Sequence, residues 1–338
     1  MIQQAIIKLS EKKNLSEIET ASAMEFIMEG KATNSQIKEF LLGLKSKGET
    51  IDEITACAKV MREKSFRIDP DVKHLVDTCG TGGDNSGTFN ISTAAAFVAA
   101  GAGAAVAKHG NKSISSKCGS ADVLKYLGVN IELEPKNVQD CIEKVGIGFL
   151  FAPKFHPAMK YAMDARKELG VRTIFNILGP LTNPAGAKSQ LIGVFDSKLL
   201  PVMANVLKNL GSRHVMIVNG NGLDEISISD KTDVFELKNG IIENYSINPS
   251  EFGFKLCTIS DLKGDNPKDN AKIIIDVLNG LKGPKRDVVV LNAAAALLAC
   301  GLAKDFEGGI ALASRSIETG NAMEKLNKLI KFSSEYLK

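Results

Sequence analysis

The chain has 338 residues, 44% of them hydrophobic and 24% charged, average usage for a globular protein, which excludes disordered, collagen-like and disulfide-scaffold classes. Forty-two basic against 39 acidic side chains leave a formal charge of +3, too little for a surface that follows nucleic acid or anionic lipid by bulk charge. Any bound anion must be held by local groups. The longest small and apolar run, Ala94 to Ala107, is interrupted by Gly101 and Gly103 and falls short of the roughly 18 residues of a membrane span. Met1 to Lys13 has no apolar core leading to a small-residue cleavage site, so no secretory signal is read. Six scattered cysteines without a C-x-x-C pair read as reduced cytoplasmic thiols.

Glycine usage divides the chain: three in residues 1–70, fourteen in 71–190 and thirteen in 191–338. The first segment reads as four helices, about 3–12, 17–29, 36–47 and 52–64. Ser16 with Glu19 and Thr50 with Glu53 form capping boxes, and Gly30 and Gly48 stand where left-handed C-caps belong. Ile37, Phe40, Leu41 and Leu44 make one apolar stripe, and Ile54, Cys57, Ala58 and Met61 another. Four short helices close only a small core, so these stripes require a further partner surface.

From His74 onward, apolar runs end in glycine-rich loops that lead into helices. Strands are expected at 74–78, 104–107, 128–133, 147–151, 190–195 and 215–218, and helices at 92–100, 120–127, 137–145 and 198–210. This is α/β grammar with a largely parallel sheet. Asn239-Gly240, between the runs 234–237 and 241–245, predicts a late antiparallel hairpin. Helices from about 269, 287, 307 and 321 close the chain.

Ligands of open α/β sheets bind beyond the carboxyl ends of strands, which directs attention to the loops there. The loop 77–93 contains Gly80-Thr81-Gly82-Gly83-Asp84, whose glycines allow close backbone approach to an anion, and Ser92 or Thr93 can open the next helix. It is neither a Walker A loop nor a dinucleotide fingerprint; by itself it is either a flexible turn or a phosphate cradle. The loop 108–122 carries Lys108, Lys112 and Lys117 among hydroxyls, either a clamp for a polyanion or a solvated basic loop. Asp224-Glu225 follows a later strand; on a loop, such carboxylates can ligate Mg²⁺ together with substrate phosphates. Arg166 precedes a wall stiffened by Gly179-Pro180 and Asn183-Pro184, and can grip a carboxylate bidentately.

The motifs GTGGD (80–84), NIST (90–93), KHGN (108–111), SSKCGSAD (115–122), FHPAMK (155–160), RTIFNILGPLTNP (172–184) and LDEIS (223–227), in this order over nearly the whole chain, closely resemble the anthranilate phosphoribosyltransferase family. Lys112 departs from the Arg often found there, keeping charge but losing the planar fork. The resemblance implies a small helical domain (1–72, with the segment about 164–185 packed on it) and a large α/β domain (73–338) with a central, mostly parallel mixed sheet surrounded by helices. It implies a homodimer formed through the helical domain.

By position, the resemblance assigns 5-phosphoribosyl 1-diphosphate to Gly80, Gly83, Asp84, Thr88, Asn90, Ile91, Ser92, Thr93, Lys108, Lys112, Ser113, Ser115, Ser116 and Ser120. Anthranilate falls to Gly80, His109, Asn111, His156 and Arg166. Mg²⁺, two ions per site, falls to Ser92, Asp224 and Glu225. The implied reaction is direct displacement at ribose C1 with inversion and no covalent intermediate, with His109 the candidate proton acceptor. The competing expectations are a pyrimidine nucleoside phosphorylase and a non-catalytic relative that binds nucleic acid; the +3 charge disfavours the latter.

Overall fold

The structure is a computed structural model and describes residues 2–113 and 117–336. Four helices open the chain: α1 (Ile2–Ser10), α2 (Glu17–Met28), α3 (Asn34–Lys47) and α4 (Ile51–Glu63). Both expected capping boxes form, and Thr33 with Gln36 adds a third at the start of α3. The order then runs β1 (Leu75–Gly80), α5 (Ile91–Gly101), β2 (Ala105–Gly110), α6 (Ser120–Tyr126), α7 (Pro135–Val145), β3 (Ile147–Phe151), α8 (Ala152–Phe155), α9 (Lys160–Leu169) and α10 (Phe175–Leu181). There follow β4 (Ser189–Gly193), α11 (Leu199–Asn209), β5 (His214–Asn219), β6 (Thr232–Lys238) and β7 (Ile241–Ile247). The chain closes with α12 (Pro267–Leu278), α13 (Pro284–Ala299), α14 (Phe306–Glu318) and α15 (Asn321–Ser334). Among the described residues no helix is long and apolar enough to cross a membrane.

The sheet has the order β3-β2-β1-β4-β5-β6-β7, parallel through β5 and antiparallel at β6 and β7. The hairpin expected at Asn239-Gly240 joins β6 to β7, with φ of 50° and 83° at those two residues, as a type I′ turn requires. One expected strand is absent. Residues 128–133 do bury Val129, Ile131 and Leu133 at 3%, 4% and 6% exposure, but they form turns. The place beside β2 belongs to β3, and the Asn130 N–H donates instead to Ser333 Oγ at 3.0 Å.

One face of the sheet is covered by α5, α13 and the helices packed on them, joined in a core rich in alanine and valine. The other face carries α11 and the opening helices. The apolar stripes of α3 and α4 share one continuous core with Ala162, Ala165, Phe175, Leu178 and Leu181 and with Ile192, Leu207 and Ile217 on the sheet side. α9 packs on α2 and α3, and α10 on α4. The partner surface that four short helices need is thus supplied by the same chain.

Inside this bundle the fully buried Glu53 carboxylate accepts from the Leu15 N–H at 2.9 Å and the Thr50 N–H at 2.8 Å, and pairs with Lys47 Nζ at 2.8 Å. Removing one partner of a buried pair leaves the other charge uncompensated, at about 3–5 kcal/mol. Glu53→Ala is therefore expected to lose about that much in urea unfolding, and Glu53→Gln, which keeps an acceptor, less; a loss under about 1 kcal/mol in the alanine variant would contradict this account.

Candidate active site

Strand β1 lies at the point where the strand order reverses, with β2 on one side and β4 on the other, the usual place for a ligand crevice. Its glycine-rich loop meets the acidic loop that follows β5. A Cβ on Gly80 would stand 2.7 Å from Asp224 Oδ2, and one on Gly193 only 1.5 Å from the Asp224 carbonyl oxygen. Only bare backbone admits Asp224 at this depth. The Gly82 N–H donates to Asp224 Oδ2 at 2.8 Å. From the opposite wall, Arg172 donates to the Gly83 carbonyl while stacking 3.8 Å over the Phe195 ring.

The N-terminus of α5 opens onto the same space. Its N-cap residue, Asn90, makes no capping bond and donates instead to the Cys118 carbonyl at 3.1 Å, tying α5 to the loop after β2. The Ser92 N–H in the first turn donates to Glu225 Oε1 at 3.0 Å. A carboxylate from a distant loop therefore satisfies a helix donor and lies at the positive end of the helix. Lys108, 3% exposed, donates to the Thr78 carbonyl and approaches Ser92 Oγ at 3.3 Å. Burial lowers its proton affinity, and Asp77, Cys79 and Glu225 oppose that shift.

Asp224 and Glu225 are half-buried, and Asp84 Oδ2 lies 3.4 Å from the Asp224 N–H. Desolvation, and then the neighbouring carboxylates, push both Asp224 and Glu225 well above the usual carboxylate range. The loop is fixed from below by Asn292 of α13, which accepts from the Ile226 N–H at 2.9 Å and donates to the Ile226 carbonyl at 2.8 Å. Among the described residues no three His, Cys, Asp or Glu side chains form a complete metal cage. Two adjacent carboxylates, a serine hydroxyl and an open side fit Mg²⁺, which keeps some of its coordination sphere for water and phosphate.

Farther along the crevice, α10 gathers the residues expected to meet the aromatic substrate. His109 Nδ1 lies 3.2 Å from the Gly179 carbonyl; a carbonyl only accepts, so Nδ1 carries the proton and Nε2 the lone pair. The His109 and His156 rings stand 5.1 Å apart, and the Nε2 atoms of both are buried without a hydrogen-bond partner among the described residues. Burial first, then His156, lowers His109 to about 3. Burial likewise lowers His156 to about 4, against the backbone of Thr182 and Met61. Both imidazoles are neutral at pH 7. Arg166, half-buried, stacks 5.1 Å from the Phe175 ring.

Other expected residues are placed less centrally. Asn111 is exposed, and its carbonyl accepts from Ser120 Oγ at 3.4 Å. Lys112 extends over the Phe151 ring, 5.8 Å from its centre. The Ser113 N–H donates to Asp122 Oδ2 at 3.0 Å. Thr88 pairs with Ser86 at 3.2 Å and bridges to Lys263. Ile91 and Thr93, in the first turn of α5, are buried at 1%. Ser115 and Ser116 lie outside the described residues. Sequence reasoning gives no role to Gly193, Arg172, Asn292 or the buried Asp77, although Arg172 stands in a quoted motif and Asp77 opens the glycine-loop segment 77–93.

The glycosyl transferase family model matches this chain in two parts, its helical bundle domain over residues 3–65 and its a/b domain over residues 72–323. An anthranilate phosphoribosyltransferase of Alkaliphilus metalliredigens is 56% identical over 99% of each chain, and one of Acetivibrio thermocellus 55% identical over 100% of this chain and 98% of its own. Among solved structures, the anthranilate phosphoribosyltransferase of Thermus thermophilus superposes with a TM-score of 0.93 at 41% identity, covering 98% of this chain and 99% of that one. The Saccharomyces cerevisiae enzyme in complex with PRPP and Mg gives 0.91 at 30% identity, covering 99% and 98%.

The acidic pair makes stability depend on pH. Carboxyls whose proton affinity rises on folding stabilise the fold below their unfolded range, near pH 4, and that contribution is lost as pH rises through the folded values. In chelator, Asp224→Asn with Glu225→Gln is expected to melt above the parent chain at pH 8, with the gap closing toward pH 4. A parent chain that melts higher at pH 8 would contradict the assignment.

Proposed function

The chain belongs to the anthranilate phosphoribosyltransferases, and from that premise we propose that it transfers the phosphoribosyl group of 5-phosphoribosyl 1-diphosphate to the amine of anthranilate, a step of tryptophan biosynthesis. The observation that carries this reading is the convergence of the glycine loop, the α5 N-terminus, Lys108 and the Asp224-Glu225 pair on one crevice.

The anthranilate amine is a weak, neutral nucleophile, so positioning and charge neutralisation carry the catalysis. The amine nitrogen bonds to C1 as the C1–O bond to diphosphate breaks. The bonding pair leaves with diphosphate, and one amine proton is lost. Attack from the face opposite the leaving group inverts C1. The loop N–H groups of residues 80–84, the first turn of α5 and Lys108 bind the anionic donor and hold its ribose. Ser92, Asp224 and Glu225 would hold Mg²⁺, which when bound supplies positive charge against the departing diphosphate. The two carboxylates address different loops, Asp224 the glycine loop and Glu225 the start of α5, which supports one ion at each.

Arg166 takes the anthranilate carboxylate, and the wall from Phe175 to Pro184 confines the ring. Neutral His109 offers its Nε2 lone pair as the acceptor for the proton that becomes acidic as the nitrogen bonds to C1. Burial lowers His109 to about 3, so at pH 7 it is neutral, the form that can accept a proton. We take residues 1–72, with about 164–185 packed on them, as the helical domain, residues 73–338 as the α/β domain, and the helical domain as the dimer contact.

Loss of anthranilate fluorescence with diphosphate release, dependent on donor and Mg²⁺, tests the reaction; phosphorolysis of thymidine or uridine instead would replace this reading with a nucleoside phosphorylase. Asp224→Asn with Glu225→Gln is expected to abolish Mg²⁺-dependent turnover, and near-normal rates would remove the metal role. Arg166→Ala is expected to raise the anthranilate KM on the order of tenfold or more while leaving the donor KM within about twofold, since a charged hydrogen bond is worth about 1.5–3 kcal/mol. An unchanged anthranilate KM would rule that contact out.

A further inference from the structure

Asp77 lies mid-strand in β1 with 0% exposure, and the mechanism above gives it no task. It stands where the sheet parts. β1 and β2 pair only at Leu75↔Ala105 and Val76↔Val106. From Asp77 onward β1 pairs with β4, from Asp77↔Gln190 to Gly80↔Gly193, while β2 continues along β3 to Gly110↔Phe151.

The Ala105 N–H donates to the His74 carbonyl. Continued in that register, a parallel ladder would next join the Thr78 N–H to the Ala107 carbonyl and the His109 N–H to the Thr78 carbonyl. Side chains take three of those four groups instead. Asn183 Nδ2 donates to the Ala107 carbonyl at 2.8 Å. Lys108 Nζ donates to the Thr78 carbonyl. Asp77 Oδ1 accepts from the His109 N–H at 3.2 Å. The two halves of one missing rung are thus held by the buried Asp77 carboxyl and the buried Lys108 side chain.

We propose that Asp77 is a positioning residue for phosphoribosyl transfer, its carboxylate holding β1 and β2 apart and so setting where Lys108, which meets the donor, and the His109 imidazole, which meets the amine, stand relative to the glycine loop that ends β1. The inference deepens the proposed function and rests on it. The alternation of strand side chains puts Asp77 and Lys108 on opposite faces of the sheet, so each terminates the rung without blocking the other. The Gln190 amide stands 3.5 Å from Asp77 Oδ2 and donates to the Pro180 carbonyl at 2.9 Å, which ties the carboxylate to α10. Without Asp77, the His109 N–H has the Thr78 carbonyl as its nearest backbone alternative in register. Forming that rung would close the strands and displace Lys108 from Thr78.

Asp77→Ala and Asp77→Asn test this. Asparagine keeps an oxygen for the His109 N–H, but it loses the charge and turns an amide donor toward the Gln190 amide. With folding checked by melting temperature, kcat/KM for 5-phosphoribosyl 1-diphosphate is expected to fall about 100-fold in the alanine variant, as for a reacting group displaced by about an ångström, and about tenfold in the asparagine variant. A purely structural role would lower the melting temperature and leave the KM and kcat of the folded enzyme unchanged. Any order other than parent, then asparagine, then alanine overturns the proposal. If the alanine variant does not fold, the asparagine variant decides alone, and parent-like kinetics in it overturn the proposal. Amide exchange at His109 is read in parallel without substrates: protection held in the asparagine variant, which keeps the acceptor, supports the contact. Lost protection in the asparagine variant overturns it. A parent chain that releases no diphosphate fails the preceding reading, and the exchange measurement still judges the Asp77 contact.

Discussion

Like charges crowded at the carboxyl end of a parallel sheet set the terms for everything around them. Asp84, Asp224 and Glu225 meet within hydrogen-bonding reach of one loop and one helix end. Desolvation first, and then their mutual repulsion in a medium less polar than water, holds protons firmly there. The offsets are local: two backbone N–H donors, the positive end of α5, and a buried lysine across the crevice. The surrounding sequence follows from this. Gly80 and Gly193 lack side chains because Asp224 fills the space, and Asn292 braces the loop so that the carboxylates cannot relax away from one another.

The second half of the crevice meets the helical bundle through α9, which carries Arg166, and through α10. That short helix ends at Leu181, so the carbonyls of its last turn have no i+4 partner within the helix and look outward. Gly179 takes His109, Pro180 takes Gln190, and Leu181 takes Arg62 from α4 at 2.7 Å. Arg62 is itself half-buried, and burial lowers it to about 10. The aromatic side of the site is thereby referenced to both the sheet and the bundle by backbone acceptors.

What the sequence made legible had local causes. GTGGD, NIST and the Asp224-Glu225 pair declare themselves because glycine density, a helix start and adjacent carboxylates each need no distant partner to be recognised. The capping boxes of α2 and α4 are legible for the same reason. Asp77 and Gln190 were not, because a polar residue in an apolar strand looks the same whether it faces water or fills a parted sheet. Gly193 gave no signal, since its requirement comes from a residue 31 positions later. Residues 128–133 misled because burial alternates there as in a strand while the edge it would pair with is already occupied. Periodicity reports which side of a segment is covered and says nothing of what covers it.

The outward-facing carbonyls at the end of α10 also bear on how such a chain could be divided. A gene cut near residue 65 would yield an N-terminal product missing Ala162, Ala165, Phe175, Leu178 and Leu181, the side chains that complete its interior. It would also leave Arg62 without the acceptor it holds in α10. Two separately made polypeptides would therefore have to find each other before either reached its final packing. Covalent continuity through α10 makes that search intramolecular.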